Sequence, residues 1–221
     1  MRRNTSIAAL LILIGMSAVA CGGSPPPPPP PPVVEETPAP DADSLAAARA
    51  AEREAAAMQL CEQAAEAVSA GDITRARSLV QQINRDYAGT ECANMAGDLT
   101  SKIDAITVLR ERVNFEFDRS RVTDEAAAIL QRKADVLRAH PDLRLTIEGH
   151  CDERGSLEYN MALGQRRAQS AMQYLVSLGI SADMFSTVSF GEERPVAQGE
   201  NEGAWTQNRR AEFVIGNLDA L

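Results

Sequence analysis

The sequence predicts an α/β fold of the α+β sandwich type: helices packed on a small mixed sheet in the order βαβαββ, preceded by an α-helical segment. Three observations carry this. From Val113 to Ile215, short stretches that alternate apolar and polar residues take turns with longer stretches of helical period. From Asp41 to about Arg110 the period is helical throughout, with abundant Ala and almost no Gly or Pro. Aromatics make up only 4% of the 221 residues, so the core must rest on Leu, Ile, Val, Met and Ala. The βαβαββ part, about 100 residues, is long enough to bury a core of its own.

Taken in order, a first helix from about Ser44 to Ala70 presents Met58, Cys61, Ala65 and Val68 on one face. Asp72 is a candidate N-cap before the stripe Ile73, Ala76, Val80 and Ile83, and Thr90 before Ala96, Leu99, Ile103 and Ile106. Segment 44–110 is therefore three helices, two of them packed as a hairpin. Val113 to Phe117 alternates like a strand. Thr123-Asp124 opens a helix ending near His140-Pro141, and Leu143 to Glu148 alternates again. Tyr159 to Leu178 is helical, stopped by Gly179; Phe185–Phe190 and Arg210–Ile215 supply the last two strands.

The N-terminus reads as an address. Met1–Ala20 has Arg2 and Arg3, an apolar run from Ile7 to Ile14 and a mostly small-residue end, the pattern of a secretory signal. The apolar run is shorter than the roughly 20 residues a spanning helix needs. Ala18-Val19-Ala20-Cys21 resembles the bacterial lipoprotein box, which implies acylation of Cys21; Gly22 in place of Asp implies sorting to the outer membrane of a Gram-negative envelope, on its periplasmic face. Residues 21–43 form a linker in which Pro25–Pro32 are an unbroken proline run. In polyproline II form, at about 3.1 Å per residue, that run is a stand-off of roughly 25 Å. A secreted chain meets an oxidising compartment, so Cys61 and Cys92 are expected to pair; with Cys21 lipidated, Cys151 is left as a free thiol.

The net charge of −9 argues against nucleic-acid binding and against adhesion to anionic lipid through a basic surface. Of the 22 basic residues, all but Lys102 and Lys133 are Arg. The informative stretch is Ile147–Leu175. Asp152 lies just past a strand end, in a Gly-bounded loop, and Asn160, Leu163 and Arg167 share one helix face. An acid on the loop and an Arg on the neighbouring helix can converge in a polar cleft whose complement is a zwitterion, an ammonium for Asp152 and a carboxylate for Arg167. The same spacing also fits a plain ion pair.

The pattern Gly149-His150-x-Asp152, then Gly155, then Tyr159-Asn160, Leu163 and Arg167-Ala168, resembles the OmpA-like peptidoglycan-binding domain. Runs FEFD, EGHCDERG, YNMALGQRRA, VSFGEERP and WTQNRRAEF resemble the peptidoglycan-associated lipoprotein (Pal) branch of that family. The resemblance covers about Val113–Ile215, within a domain set at 111–221, and leaves the helical segment unmatched. It implies a non-catalytic binder of peptidoglycan that grips the meso-diaminopimelate end of the stem peptide. Asp152 would take the ammonium, Arg167 the carboxylate, with Asn160 and Leu163 shaping the pocket and the Phe117-Asp118 loop adding backbone N–H groups and the Asp118 carboxylate. It also implies a place in the Tol–Pal system of cell division, with TolB as protein partner. Gly164 stands where many family members have Ser, and Ala171 where Val is more usual. Arg209 and Arg210 are candidates to approach the ligand or brace Asp152. Two other readings stand beside this one: an OmpA-like lipoprotein without Tol partners, and an assembly adaptor that docks a partner through its helices. No nucleophile–base pair, phosphate loop or cofactor motif is present, no spacing singles out a glycosidase carboxylate pair, and His150-Cys151-Asp152 lacks a second ligand cluster for a metal.

Overall fold

The computed structural model describes residues 41–221. The expected signal sequence 1–20, the expected lipidation site Cys21 and the proline run lie outside the described residues. Three helices come first: α1 (Ala42–Ser69), α2 (Ile73–Asp86) and α3 (Glu91–Arg110). Each begins at a side-chain cap, Asp41, Asp72 and Thr90, whose oxygens accept from the backbone N–H of Ser44, Arg75 and Ala93. The helix α1 starts within the stretch expected to be linker. All three helices pack mutually around Ala57, Ala64, Ala76, Val80, Ile83, Ala96, Ile103 and Ile106, so the expected hairpin is a three-helix unit. Cys61 and Cys92 are joined in a disulfide linking α1 to the start of α3.

The remainder is a four-stranded mixed sheet with helices on it. Strands β1 (Val113–Asn114), β2 (Leu145–His150), β3 (Phe185–Gly191) and β4 (Arg210–Ile215) lie in the order β1-β4-β2-β3. The pair β2–β3 is parallel; β4 is antiparallel to both β1 and β2. Helices α4 (Asp124–Ala139) and α5 (Leu157–Ser177) bury Leu130, Ala134, Leu137, Ala168, Ala171 and Leu175 against Leu145, Ile147, Ala211 and Phe213. A short helix α6 (Glu202–Asn208), capped by Asn201, precedes β4 and is absent from the elements the sequence predicts. The strand expected over Val113–Phe117 is shorter, because the chain leaves the sheet after one further backbone bond, Phe115 N–H to Arg209 O at 2.9 Å. It then turns at Asp118, whose φ of 55° puts a non-glycine residue in the left-handed region.

Close packing at two glycines fixes α5 against β2. A Cβ at Gly149 would lie 1.9 Å from Gly164 O, so α5 lies directly on β2 with no room for a side chain between them. Gly164 is equally confined: a Cβ there would meet Ser189 Oγ at 2.3 Å. The helical unit is tied to the sheet domain by Lys133 of α4. It is fully buried and donates to the carbonyls of Val108 and Leu109, at 2.8 and 2.6 Å, at the C-terminus of α3. Its ammonium also sits 4.2 Å from the Phe213 ring centroid. Among the described residues, no helix is long and apolar enough to cross a membrane.

Candidate ligand-binding site

Because α5 is pressed onto β2, its first two turns face the loop at the end of that strand. Between them and the Phe117-Asp118 turn lies a cavity of about 260 Å³. All five residues expected to bind ligand, Asp118, Asp152, Asn160, Leu163 and Arg167, line it. Phe117, Cys151, Arg154, Gly155 and Tyr159 complete the wall.

Arg167 is 1% exposed. Its Nε donates to Arg119 O (2.9 Å), Nη1 to His150 O (2.7 Å) and to Cys151 Sγ (3.3 Å), and Nη2 to Glu116 O (3.1 Å). Every one of these acceptors is uncharged. Among the described residues no carboxylate forms an ion pair with Arg167, so a buried positive charge faces the cavity held only by dipoles. Burial lowers the pKa of this guanidinium from its ordinary value, outweighing the nearby Asp152 and Asp118 carboxylates, neither of which is bonded to it. The carbonyls that hold it come from the strand end at His150 and from the turn at Asp118, which explains why the chain turns there.

Asp152 is the opposite case. Its carboxylate accepts from Arg154 Nε (3.2 Å), Arg154 Nη2 (2.7 Å), the Arg154 backbone N–H (3.2 Å) and Arg209 Nη1 (3.1 Å). Burial works to raise its pKa, but these hydrogen bonds win and hold the carboxyl below the usual range. Arg209, left ambiguous by the sequence, braces Asp152 from the buried side, whereas Arg210 points elsewhere, to Glu212 and the Arg194 carbonyl. Arg154 is partly exposed and lies between two rings, its guanidinium carbon 3.9 Å from the Phe117 centroid and 4.0 Å from that of Trp205.

Asn160 is a positioning residue. Its amide donates to Asp152 O, Arg154 O and a Glu192 carboxylate oxygen, which fixes the loop carrying Asp152. Leu163 supplies an apolar wall, and Asp118 accepts from the Tyr159 hydroxyl at the exposed rim. Cys151 is buried and free, with its thiol pushed up by burial, so it is not poised for reaction. Sequence reasoning missed Arg154, Tyr159 and Trp205. The signal for Arg154 is its place two residues after Asp152, within reach of the same carboxylate.

The profile of the OmpA family matches residues 114–209. The chain is 40% identical over 136 residues to the peptidoglycan-associated lipoprotein of Rhizobium meliloti (strain 1021), an alignment covering 62% of this chain and 77% of that protein. The chain belongs to the OmpA family, among the peptidoglycan-associated lipoproteins. It shares 50% identity over 99 residues with the Pseudomonas putida protein of that name, covering 45% of this chain and 59% of the other. The crystal structure of the peptidoglycan-associated lipoprotein from Burkholderia pseudomallei is 42% identical and covers 50% of this chain and 92% of that one, with a TM-score of 0.48. Membership places the chain among binding proteins rather than enzymes.

Proposed function

We propose that this protein binds peptidoglycan non-covalently, taking the free zwitterionic end of meso-diaminopimelate into the cavity between Asp152 and Arg167. The observation that carries this reading is Arg167: a buried guanidinium with no carboxylate partner among the described residues, facing a cavity that also contains a buried carboxylate. A ligand carboxylate supplies the missing counter-charge and accepts from the one guanidinium N–H, on Nη2, that the carbonyls and the thiol leave free. The ligand ammonium reaches Asp152 by displacing Arg154, the more exposed of its two cationic partners, while Arg209 stays in place. Asn160, Leu163 and Asp118 hold and line the pocket around the ligand.

The rest of the reading is carried by sequence and family. Residues 1–20 export the chain, lipidated Cys21 anchors it to the periplasmic face of the outer membrane, 21–43 holds it off the lipid, 44–110 is a helical spacer, and 111–221 grips the wall, so that membrane and wall move together. Resemblance to Pal adds the Tol–Pal system of cell division, with TolB as partner. The test is a pull-down with purified sacculi, competed by free meso-diaminopimelate. Retention on sacculi that free meso-diaminopimelate reverses supports the site. Retention that it leaves untouched, or no retention, rejects it.

A further inference from the structure

A second constellation lies on β2 and β4, outside the cavity. Along β2, Leu145 and Ile147 face the helices, so Glu148 falls on the other side of the strand, with His150 two residues on. Register sets Glu148 directly opposite Glu212 of β4. One ligand-capable atom from each of Glu148, His150 and Glu212 lies within 4.8 Å of the other two, and His150 Nε2 is 3.7 Å from a Glu148 oxygen. His150 is 1% exposed, and neither ring nitrogen has a hydrogen-bond partner among the described residues. Two features here are unfavourable as they stand: an imidazole that has lost water at both nitrogens, and like charges facing each other across a strand pair. One dication gives a partner to one ring nitrogen and offsets the facing carboxylate charges.

We propose that Glu148, His150 and Glu212 form a binding site for one divalent metal ion of the zinc class, with an imidazole nitrogen and two carboxylate oxygens as ligands and water completing the coordination. A mixed nitrogen and oxygen donor set suits zinc better than calcium or magnesium. Burial keeps the imidazole neutral, with a pKa of about 4, so a ring lone pair is available at neutral pH. Arg112 Nε and Arg210 Nε both donate to the same Glu212 oxygen, at 2.8 and 2.7 Å, which orients the carboxylate and leaves its other oxygen for the metal. No Arg or Lys engages the Glu148 carboxylate among the described residues. The charges of Arg112, Arg194 and Arg210 oppose the ion, so binding is weaker than in a closed structural zinc site. The sequence set His150 beside Cys151 and Asp152 with no second ligand cluster, because Glu212 reaches His150 only through strand register.

The full chain, stripped with chelator and desalted, is titrated with zinc against a chromogenic indicator, and in parallel with cobalt read by visible absorption. One equivalent of zinc and a visible cobalt spectrum are expected. Both should weaken by about tenfold or more in Glu148→Gln and in Glu212→Gln, each with wild-type circular dichroism. No uptake by the wild-type chain, or uptake that both variants retain, overturns the assignment; metal held by Cys21 or His140 would survive both changes and so counts against it. If one variant fails to fold, the other carries the test. Because Asp152 and Arg167 are not involved, sacculus binding and metal uptake can fail independently.

Discussion

The helical unit and the sheet domain bury different things. Between α1 and α3 the core is Ala, Val, Ile and a disulfide, and the buried polar residue there is Thr90, an N-cap. The sheet domain buries Lys133, His150, Asp152, Asn160, Arg167, Asn208, Arg209 and Arg210. Buried charge stabilises a fold poorly unless its partners are in place. A unit that needs only to be a unit does without it. In the sheet domain Asp152, Asn160 and Arg167 line the cavity and Arg209 braces Asp152, whereas the side chains of Lys133, His150, Asn208 and Arg210 lie away from it; the helical unit buries no charged side chain among the described residues.

The largest effect is expected where helix and strand are pressed together most tightly. Gly149→Ala drives a methyl group into Gly164 O, and backbone must move to admit it. Overpacking of this kind costs about 3 kcal/mol or more. Thermal unfolding should show a large loss of stability in the sheet domain, together with loss of sacculus binding.

Next come Arg167→Ala and Asp152→Ala. Removing one partner of a sheltered charge pair costs about 2–5 kcal/mol in binding. Both should nearly abolish sacculus pull-down while far-ultraviolet circular dichroism stays native. By contrast, replacing Cys61 and Cys92 by Ala should lower stability by about 3–4 kcal/mol through the lost loop constraint, yet leave sacculus binding intact. If the disulfide variant loses binding, scaffold and site are not separate devices.

Lys133 tests the junction of the two regions. Burial pushes its ammonium down from 10.5 to about 7. Between those values the unfolded chain holds a proton that the folded chain has released, so this residue makes stability rise with pH from about 7 to about 10.5. Melting temperatures across that window should climb more, or fall less, in the wild type than in Lys133→Met. The smallest effect is expected at Arg154. A partly exposed pair contributes about 0.2–1 kcal/mol, so Arg154→Ala should change sacculus affinity by no more than about fivefold. A collapse of binding there would make Arg154 a ligand-holding residue rather than one that yields.

Much of this arrangement was legible in the chain. Helical period, the caps Asp72 and Thr90 and the opening Thr123-Asp124 located α2, α3 and α4, and the spacing of Asn160, Leu163 and Arg167 placed them on one face because a helix repeats locally. What escaped depends on distant partners. Helix α6 is seven residues long, too short for an apolar stripe to show. Strand β1 shortens because Arg167, far along the chain, takes the carbonyls of Glu116 and Arg119. The burial of Lys133 requires the end of α3, and the facing of Glu148 and Glu212 requires the register of β2 on β4. Neither is a property of any single stretch.

The central claim is that one cavity, between Asp152 and Arg167, receives the dipolar end of the ligand. Amide chemical-shift mapping of the isotope-labelled chain during titration with meso-diaminopimelate tests it most directly. Shifts should concentrate on residues 116–119, 151–155 and 159–167, and vanish in Arg167→Ala. Saturable shifts centred on another face, or none at millimolar ligand, would contradict it.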